Sequence, residues 1–384
     1  MYQFRAGNQL YCILSILSVA GEVPYRSVKL LGNERVHKKL IMNLTETQVI
    51  KNMHTGDTMT CRVFTVSGKG KAKTLRIYKG ALPILRWLHP NALETYLDLF
   101  WNHKFPGDDA HRERNHRVAE SVIMCMRAGI EMRSYYLPDL QIQKRTNQIP
   151  CEANLYVAKQ LKKVGEMELN KTMFTRMVGA VFSHGTGYAL YNTRNAIMKW
   201  SGMGEFKTLH SLQEIARMNS EIRTIHAAIL FGQSEEIALA TLIESDKTQR
   251  MEFRFDSIYQ HIYFIPMNEM GIRQLRFFTV PDWNEKVLEL LFVPEDRSYN
   301  QGMFEYDALV DGIYVFSFLD FDIARLVRFR EAILNKDMKC EVLCFAYQLL
   351  FLQTYLGKKV TYKTLDMNLI ETELCVERRN LFER

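Results

Sequence analysis

The first 45 residues carry apolar side chains at helical spacing, interrupted twice by glycine. A first helix is predicted over residues 9–18, with an apolar face made of Leu10, Ile13, Leu14 and Leu17. Gly21 then stops this helix, and Pro24 suits the first turn of a second helix that ends at Gly32. Asn33 is suited to cap a third helix, whose apolar face would hold Val36, Leu40, Ile41 and Leu44. Three helices joined by tight turns indicate a helix-turn-helix.

The pattern then changes from helical spacing to strands. Residues 61–66 and 74–78 are rich in β-branched and aromatic side chains, and a Gly/Lys turn separates them. A basic-tipped hairpin after three helices is the layout of a winged helix, in which the third helix enters a DNA groove and the wing reaches phosphates. The residues predicted to contact DNA are Arg35, Lys38, Lys39, Lys69, Lys71, Lys73 and Arg76.

The charge is concentrated in the same region. The chain of 384 residues has a net charge of +7, yet residues 1–90 hold fourteen Lys and Arg against four acids, an excess of ten. The other 294 residues hold 36 basic and 39 acidic side chains. This asymmetry indicates a polyanionic partner, either nucleic acid or an anionic surface. Double-stranded DNA is the partner that a winged helix would bind through its phosphates. Two alternatives stay open: a merely solubilising surface, and a winged helix that binds an acidic protein.

Composition narrows the remaining classes. Apolar residues make up 47% and charged residues 24%, which are values of a folded globular chain. The apolar run from Leu10 to Ala20 is too short to span a bilayer, and the seven cysteines are scattered without zinc spacing. No phosphate-binding glycine motif and no zinc-protease motif occurs. We therefore expect a cytoplasmic protein with reduced cysteines and no membrane insertion.

The middle of the chain holds the candidate chemistry. Residues 111–132 read as an amphipathic helix with His116 and Glu120 on its polar side, a pair that is more often solvated than functional. Residues 179–184 and 188–192 alternate as two strands of a hairpin. Further on, Glu205 and Lys207 form a Glu-x-Lys pair, the chemistry of metal-dependent phosphodiester cleavage.

Several phrases in this order carry a resemblance to a known family. They are KTLRIYKGALPIL after the wing, RNHRVAES at the start of a helix, and the RMVGAVF and YALYN strands. Residues 8–210 thereby resemble the replication-relaxation proteins of plasmids and the related MOB-C class of conjugative relaxases, whose nuclease domain is similar to restriction endonucleases. The resemblance implies an α+β protein: an N-terminal winged helix-turn-helix, an α/β restriction-endonuclease-like core and extra C-terminal α/β elements.

The resemblance also implies domain boundaries and a metal site. The boundaries are a winged-helix DNA-binding domain at 1–90, a helical connector at 91–110, the nuclease-like core at 111–220 and a C-terminal α/β part at 221–384. The family would have carboxylates on both hairpin strands, but this chain has Val178 and Gly179 on the first strand and Asn192, Thr193 and Arg194 on the second. A Mg²⁺ or Mn²⁺ site would have to be rebuilt from the catalytic candidates Glu120, Glu205 and Lys207. A degenerate core is favoured.

The last 170 residues alternate strand-like and helix-like segments, ending in a long apolar stretch at 342–356 that reads as a helix. Asp307, Asp311, Asp320 and Asp322 cluster there, as metal ligands or, more commonly, as caps and strand ends.

The leading hypothesis is a DNA-binding protein of a bacterial plasmid or conjugative element, acting in replication or DNA transfer with other transfer or replication proteins as partners. The enzymatic alternative is a metal-dependent nicking relaxase, and the third is a non-enzymatic adaptor for an acidic protein.

Overall fold

Helices and four β-sheets make up the described part of the chain. The computed structural model describes residues 1–105, 108–133, 153–166, 176–198, 203–219, 224–246, 258–298, 304–335 and 338–377. The strands are β1 (Tyr2–Phe4), β2 (Val23–Pro24), β3 (Gln48–Asn52), β4 (Thr58–Cys61), β5 (Phe64–Ser67), β6 (Thr74–Ile77), β7 (Glu131–Met132), β8 (Asn154–Val157), β9 (Gly179–Ser183), β10 (Thr186–Arg194), β11 (Thr224–Gly232), β12 (His261–Pro266), β13 (Ala308–Val310), β14 (Ile313–Ser317), β15 (Cys340–Phe345) and β16 (Thr361–Leu365).

The α-helices alternate with these strands. They are α1 (Gln9–Ala20), α2 (Glu34–Asn43), α3 (Ala92–Leu99), α4 (Asp109–Arg127), α5 (Ala158–Glu166), α6 (Met203–Asn219), α7 (Glu235–Asp246), α8 (Glu269–Phe277), α9 (Trp283–Leu291), α10 (Ile323–Asn335), α11 (Leu349–Leu356) and α12 (Met367–Glu373). Short 3₁₀ helices cover Tyr25–Leu31, Gly70–Ala72, Lys79–Trp87 and Ala346–Gln348. The mixed α+β class expected from the sequence is confirmed. No helix in the described ranges is long and apolar enough to cross a membrane.

The helix boundaries near the N-terminus follow the predicted caps. The Asn33 side chain accepts a hydrogen bond from the Val36 backbone N–H, and Gly21 ends α1 with φ +72°. Val36 is 42% exposed, so it does not belong to the buried face of α2, contrary to the prediction. The buried positions are His37, Ile41 and Leu44, which recur at i, i+4 and i+7.

Two small sheets complete the N-terminal region. β2 pairs with β6 and β6 with β5, all antiparallel, so that β6 is the central strand. The predicted second helix is a 3₁₀ helix over Tyr25–Leu31. Pro24, expected in its first turn, lies in strand β2 instead. The predicted strand at 61–66 is split, since Cys61 ends β4, which pairs with β3 in the other small sheet.

A six-stranded sheet in the order β12-β11-β10-β9-β8-β7 forms the centre of the molecule. β8, β9 and β10 run antiparallel, whereas β11 and β12 run parallel to β10. The predicted hairpin is confirmed: His184 and Gly185 join β9 to β10, and both have positive φ, as a type I′ turn requires. The sheet extends to residue 266, so the expected boundary at residue 220 falls within the segment that builds it.

Side chains alternate between two cores on the faces of this sheet. Leu190 of β10 packs in the cluster that also holds α1, α4 and α8, whereas Tyr191 packs in the cluster with α6, α7, α10 and α11. Helix α4 lies between the sheet and the N-terminal region and contacts both. The expected solvated side of α4 is wrong, because His116 and Glu120 are 4% and 3% exposed.

The fourth sheet lies in the C-terminal part and has the strand order β13-β14-β15-β16. β14, β15 and β16 are parallel, and β13 is antiparallel to β14. The apolar stretch expected to be one helix is divided, with 340–345 forming β15 and only Leu349–Leu356 forming α11. A parallel strand buried on both faces reads as a continuous apolar run, which spacing alone does not separate from a buried helix.

Candidate nucleic-acid interface

The hairpin of β5 and β6 carries its lysines into solvent. Lys69, Lys71 and Lys73 are all exposed. The turn is held in shape by two glycines with positive φ, Gly68 at +85° and Gly70 at +53°. A Cβ on Gly68 would lie 2.5 Å from the Ala72 carbonyl oxygen, so only glycine fits the close approach of the two strands.

Helix α2 presents the other predicted cations. Arg35 and Lys39 are exposed, one helical turn apart on one side of α2. Lys38 is half-exposed and its Nζ lies 2.5 Å from a Glu34 carboxylate oxygen. An exposed pair of this kind stabilises a helix by only about 0.3–0.5 kcal/mol, so a phosphate can compete for Lys38.

The ring of Tyr25 joins the wing to α2. The Nζ atoms of Lys38 and Lys73 lie 5.3 Å and 5.9 Å from the centre of this ring, within cation–π range. The backbone N–H of Tyr25 donates to the Lys73 carbonyl oxygen at 2.8 Å. The wing and the exposed side of α2 therefore meet on one face of the molecule.

Two further cations lie on the 3₁₀ helix that begins at Tyr25. Arg26 and Lys29 are both exposed. They belong to the basic excess of residues 1–90, but the helix-turn-helix layout predicts DNA contacts only from the third helix and the wing. We define the basic face by eight residues: Arg26, Lys29, Arg35, Lys38, Lys39, Lys69, Lys71 and Lys73.

Arg76 differs from the other predicted contacts. Its Nε donates at 2.6 Å to a carboxylate oxygen of Glu22, a side chain only 1% exposed. Its guanidinium also lies 4.7 Å from the centre of the Phe105 ring. Arg76 balances a buried charge behind the wing, and the structure does not bring it together with the basic face.

A buried polar cluster joins the N-terminal region, α4 and β10. The Ser27 hydroxyl donates to Glu120 Oε1 at 2.6 Å, and Arg194 Nε lies 3.0 Å from Glu120 Oε2. Arg194 also pairs with Glu113. Burial raises the pKa of Glu120, an effect that Arg194 and Ser27 oppose. For Glu113 burial again raises the pKa, but the hydrogen bond from Arg194 and the nearby positive charges together outweigh it, and the net shift is downward.

The cluster continues to the base of the wing through His116. Its Nε2 lies 3.2 Å from the Thr74 hydroxyl, at the start of β6. Burial, together with the nearby Arg194 charge, lowers the pKa of His116 to about 4. The imidazole is therefore neutral at pH 7. Arg194 and Glu113 were not predicted as a pair, since nothing in the sequence indicates an ion pair across 81 positions.

The three catalytic candidates do not converge. Glu120 lies on the α4 face of the six-stranded sheet. Glu205 is fully buried on α6, and helix α6 covers the opposite face. Lys207 is exposed, since residues two apart on a helix do not face each other. The two carboxylates therefore belong to helices that cover opposite faces of the sheet.

On the second hairpin strand, the positions that lack carboxylates hold hydrogen-bonded polar side chains instead. The Asn192 side-chain amide donates to the Arg117 carbonyl oxygen at 3.0 Å and to the Ser121 hydroxyl at 3.3 Å. The guanidinium of Arg194 thus lies between Glu113 and Glu120, where a cation would be needed to balance them. Within the described ranges, no group of three His, Cys, Asp or Glu side chains is arranged to hold a metal ion.

The C-terminal aspartates surround an arginine. Arg325 donates to Asp307 at 2.6 Å, to Glu305 at 2.8 Å and to Asp320 at 3.3 Å. Asp322 accepts hydrogen bonds from His261 at 2.7 Å and from the Ile262, Ala324 and Arg325 backbone N–H groups, whereas Asp311 lies exposed in the turn between β13 and β14. Burial raises the pKa of Asp320 and of Asp307. These carboxylates serve an internal ion-pair cluster that caps α10.

No family model, curated protein or solved structure matches this chain. The function therefore has to be argued from the arrangement of the side chains themselves.

Proposed function

We propose that this chain is a DNA-binding protein that contacts duplex DNA through the basic face of its N-terminal region. The observation that carries the proposal is the meeting of Lys38 and Lys73 over the ring of Tyr25. Because that contact joins α2 to the wing, cations of the two elements lie side by side instead of being scattered over unrelated faces. A continuous cationic surface is what contact with a sugar-phosphate backbone requires.

The order of elements supports a winged-helix interpretation of this region. Helix α1, strand β2, the 3₁₀ helix, helix α2 and the β5–β6 hairpin follow one another, with the β3–β4 hairpin inserted before β5. β2 pairs with β6, the second strand of the hairpin, which places the wing beside the helix pair. In this interpretation Arg35 and Lys39 on α2 reach the groove, and the wing lysines contact phosphates.

The core is proposed to be a degenerate nuclease-like scaffold. From α4 onward the chain order is β7, β8, α5, the β9–β10 hairpin, α6 and β11. Strands β8–β10 are antiparallel and β11 is parallel to β10, which is consistent with a restriction-endonuclease-like core. The cation between Glu113 and Glu120 is a guanidinium of the chain itself. We therefore favour DNA binding over cleavage, and the resemblance to replication-relaxation proteins leads us to assign this binding to plasmid replication or conjugative transfer.

The test is the salt dependence of DNA binding. We expect fluorescence anisotropy on a labelled duplex to give a linear fall of log K with log salt, at about 0.9 per neutralised phosphate. The triple variant K69A/K71A/K73A removes three exposed cations of the basic face and should flatten this slope by about two to three.

The matched control removes the same number of lysines elsewhere. K358A/K359A/K363A changes three exposed lysines at β16 and the turn before it, and it alters the net charge by the same amount. Equal losses of affinity in the two triple variants would refute the proposed surface. No binding by the wild type at low salt would instead favour the protein adaptor.

A further inference from the structure

A cavity lies at the end of β10. It has a volume of about 250 Å³ and is lined by Arg117, Arg176, Tyr191, Asn192, Thr193, Ala196, Ile197 and Met198. The two charged side chains in this lining, Arg117 and Arg176, both carry guanidinium groups. The cavity is large enough for a phosphate group with several waters, since a water molecule takes up about 30 Å³ of liquid volume.

The side chain of Arg117 is the evidence that this cavity binds a ligand. It is half-buried on α4, and its Nε is buried without a hydrogen-bond acceptor. Within the ranges that the structure describes, no carboxylate forms an ion pair with it. A charged donor removed from water without an acceptor is costly, and a bound anion would remove that cost.

The neighbouring carboxylates already form ion pairs with other arginines. Glu113 and Glu120, one turn before and one turn after Arg117 on α4, both pair with Arg194. Glu205 Oε1 lies 3.9 Å from Arg176 Nη1 and balances part of that charge. Of the two guanidinium groups that line the cavity, Arg117 is therefore the one for which the described ranges hold no carboxylate partner.

The position of the cavity relates it to the basic face. Arg26, at the edge of that face, interacts electrostatically with Glu113, His116 and Glu120 on α4. Arg117 follows His116 directly in the chain. Arg26 and Arg117 therefore both lie beside the cluster of Glu113, Arg194 and Glu120, Arg26 on the side of the basic face and Arg117 on the side of the cavity.

We propose that this cavity is an anion site that binds a phosphate of the DNA backbone through the Arg117 guanidinium. The planar fork of donors on arginine matches two phosphate oxygens at once. The site would extend the DNA contact from the basic face onto the core without any metal. This inference rests on the proposed function, but its first test does not need DNA.

The first test uses inorganic phosphate and the intact protein. At constant ionic strength, set with chloride, phosphate should raise the thermal midpoint of the wild type and of K207Q, which changes an exposed lysine on α6. The midpoint of R117Q should not respond. An equal response in R117Q, or no response in the wild type, would overturn the anion site. Where R117Q fails to fold, R117K replaces it: this variant keeps the charge but loses the planar fork, so its midpoint should respond less than that of the wild type, and an equal response would overturn the anion site.

The second test assigns the phosphate to DNA. R117Q should reduce the salt slope of duplex binding by about one, in addition to the loss seen in K69A/K71A/K73A. A phosphate response with an unchanged DNA slope would reject the DNA backbone as the source of the anion while leaving the proposed function intact. Failure of the proposed function is recognised separately, by wing variants that bind as tightly as the wild type.

Discussion

Arg194 is the residue on which the buried polar cluster depends. It balances two carboxylates, of which Glu120 has a side chain only 4% exposed. The side chain of Arg194 is itself 7% exposed, so water contributes little to either charge. A buried carboxylate that loses its only cation stays charged at a high cost or takes up a proton.

We expect Arg194→Met to lower the free energy of unfolding by about 3–5 kcal/mol, because it leaves Glu120 without its cation. Adding Glu120→Gln to Arg194→Met should restore part of the loss, since the uncompensated charge is then removed. Urea unfolding measures both values. Arg86→Ala is the control, as Arg86 and Glu94 form an ion pair with both side chains about 60% exposed, and it should cost less than about 1 kcal/mol. Equal costs at the two sites would contradict this account.

His116 gives the molecule a pH dependence of predictable sign. The folded state holds the pKa of His116 near 4, through burial and the nearby charge of Arg194, while the unfolded chain titrates near 6.5. Between these values the unfolded state binds the proton first, so stability falls as the pH falls from about 6.5 to 4.

From pH 7 to pH 5 we expect this group to remove about 2 kcal/mol of stability. Urea unfolding of the wild type and His116→Asn at both pH values isolates the contribution, since Asn can keep a hydrogen bond to Thr74. Asp320, whose pKa burial raises, acts in the opposite direction in both proteins and cancels in the comparison. A wild type and variant with the same pH dependence would show that His116 is protonated as readily in the folded state.

In the wing hairpin, the two glycines constrain the backbone in different ways. Gly68 and Gly70 both have positive φ, but only Gly68 has a backbone atom where its Cβ would be. The two positions therefore separate the cost of the left-handed backbone from that of the clash.

We expect Gly68→Ala to weaken DNA binding several-fold without removing any charge, because the β5–β6 strands must move apart and the wing lysines shift. Gly70→Ala carries the conformational cost, about 1 kcal/mol, but no clash, and it should keep most of the affinity. Anisotropy titrations of both variants at one salt concentration measure the difference. Indistinguishable affinities would mean that the lysines bind as mobile charges, with no fixed wing.

The elements that the sequence predicts correctly are those whose ends are determined by neighbouring residues. Caps at Asn33 and Gly21 and the turn at His184 and Gly185 are set by neighbouring residues, so they could be read directly. Strand β15 could not be predicted in this way, because a strand buried on both faces does not alternate apolar and polar residues. Nor could the burial of Glu120, since its partners Ser27 and Arg194 are brought to it only by tertiary packing. The wing lysines were predictable as a charge excess, but their meeting with α2 over Tyr25 was not.

At the scale of the whole molecule, the N-terminal region shares its core with the central sheet. Leu14 of α1 and Leu190 of β10 belong to one hydrophobic cluster, which continues through α4. The buried contacts of Ser27 and Thr74 with α4 add a polar connection. A domain that ended at residue 90 would expose this face of α1 to water.

We therefore expect the N-terminal region and the sheet to unfold together. Leu14 is fully buried, so Leu14→Ala should lower the free energy of unfolding by about 2–5 kcal/mol. Hydrogen exchange followed by mass spectrometry in increasing urea reports peptides from α1 and from β10 and β11 separately, and both transitions should move to lower urea by the same amount. Leu350→Ala, at a side chain 75% exposed, should move neither. If only the α1 peptides moved, the first 90 residues would be an independent domain, and DNA bound to the wing would have no rigid connection to the scaffold behind it.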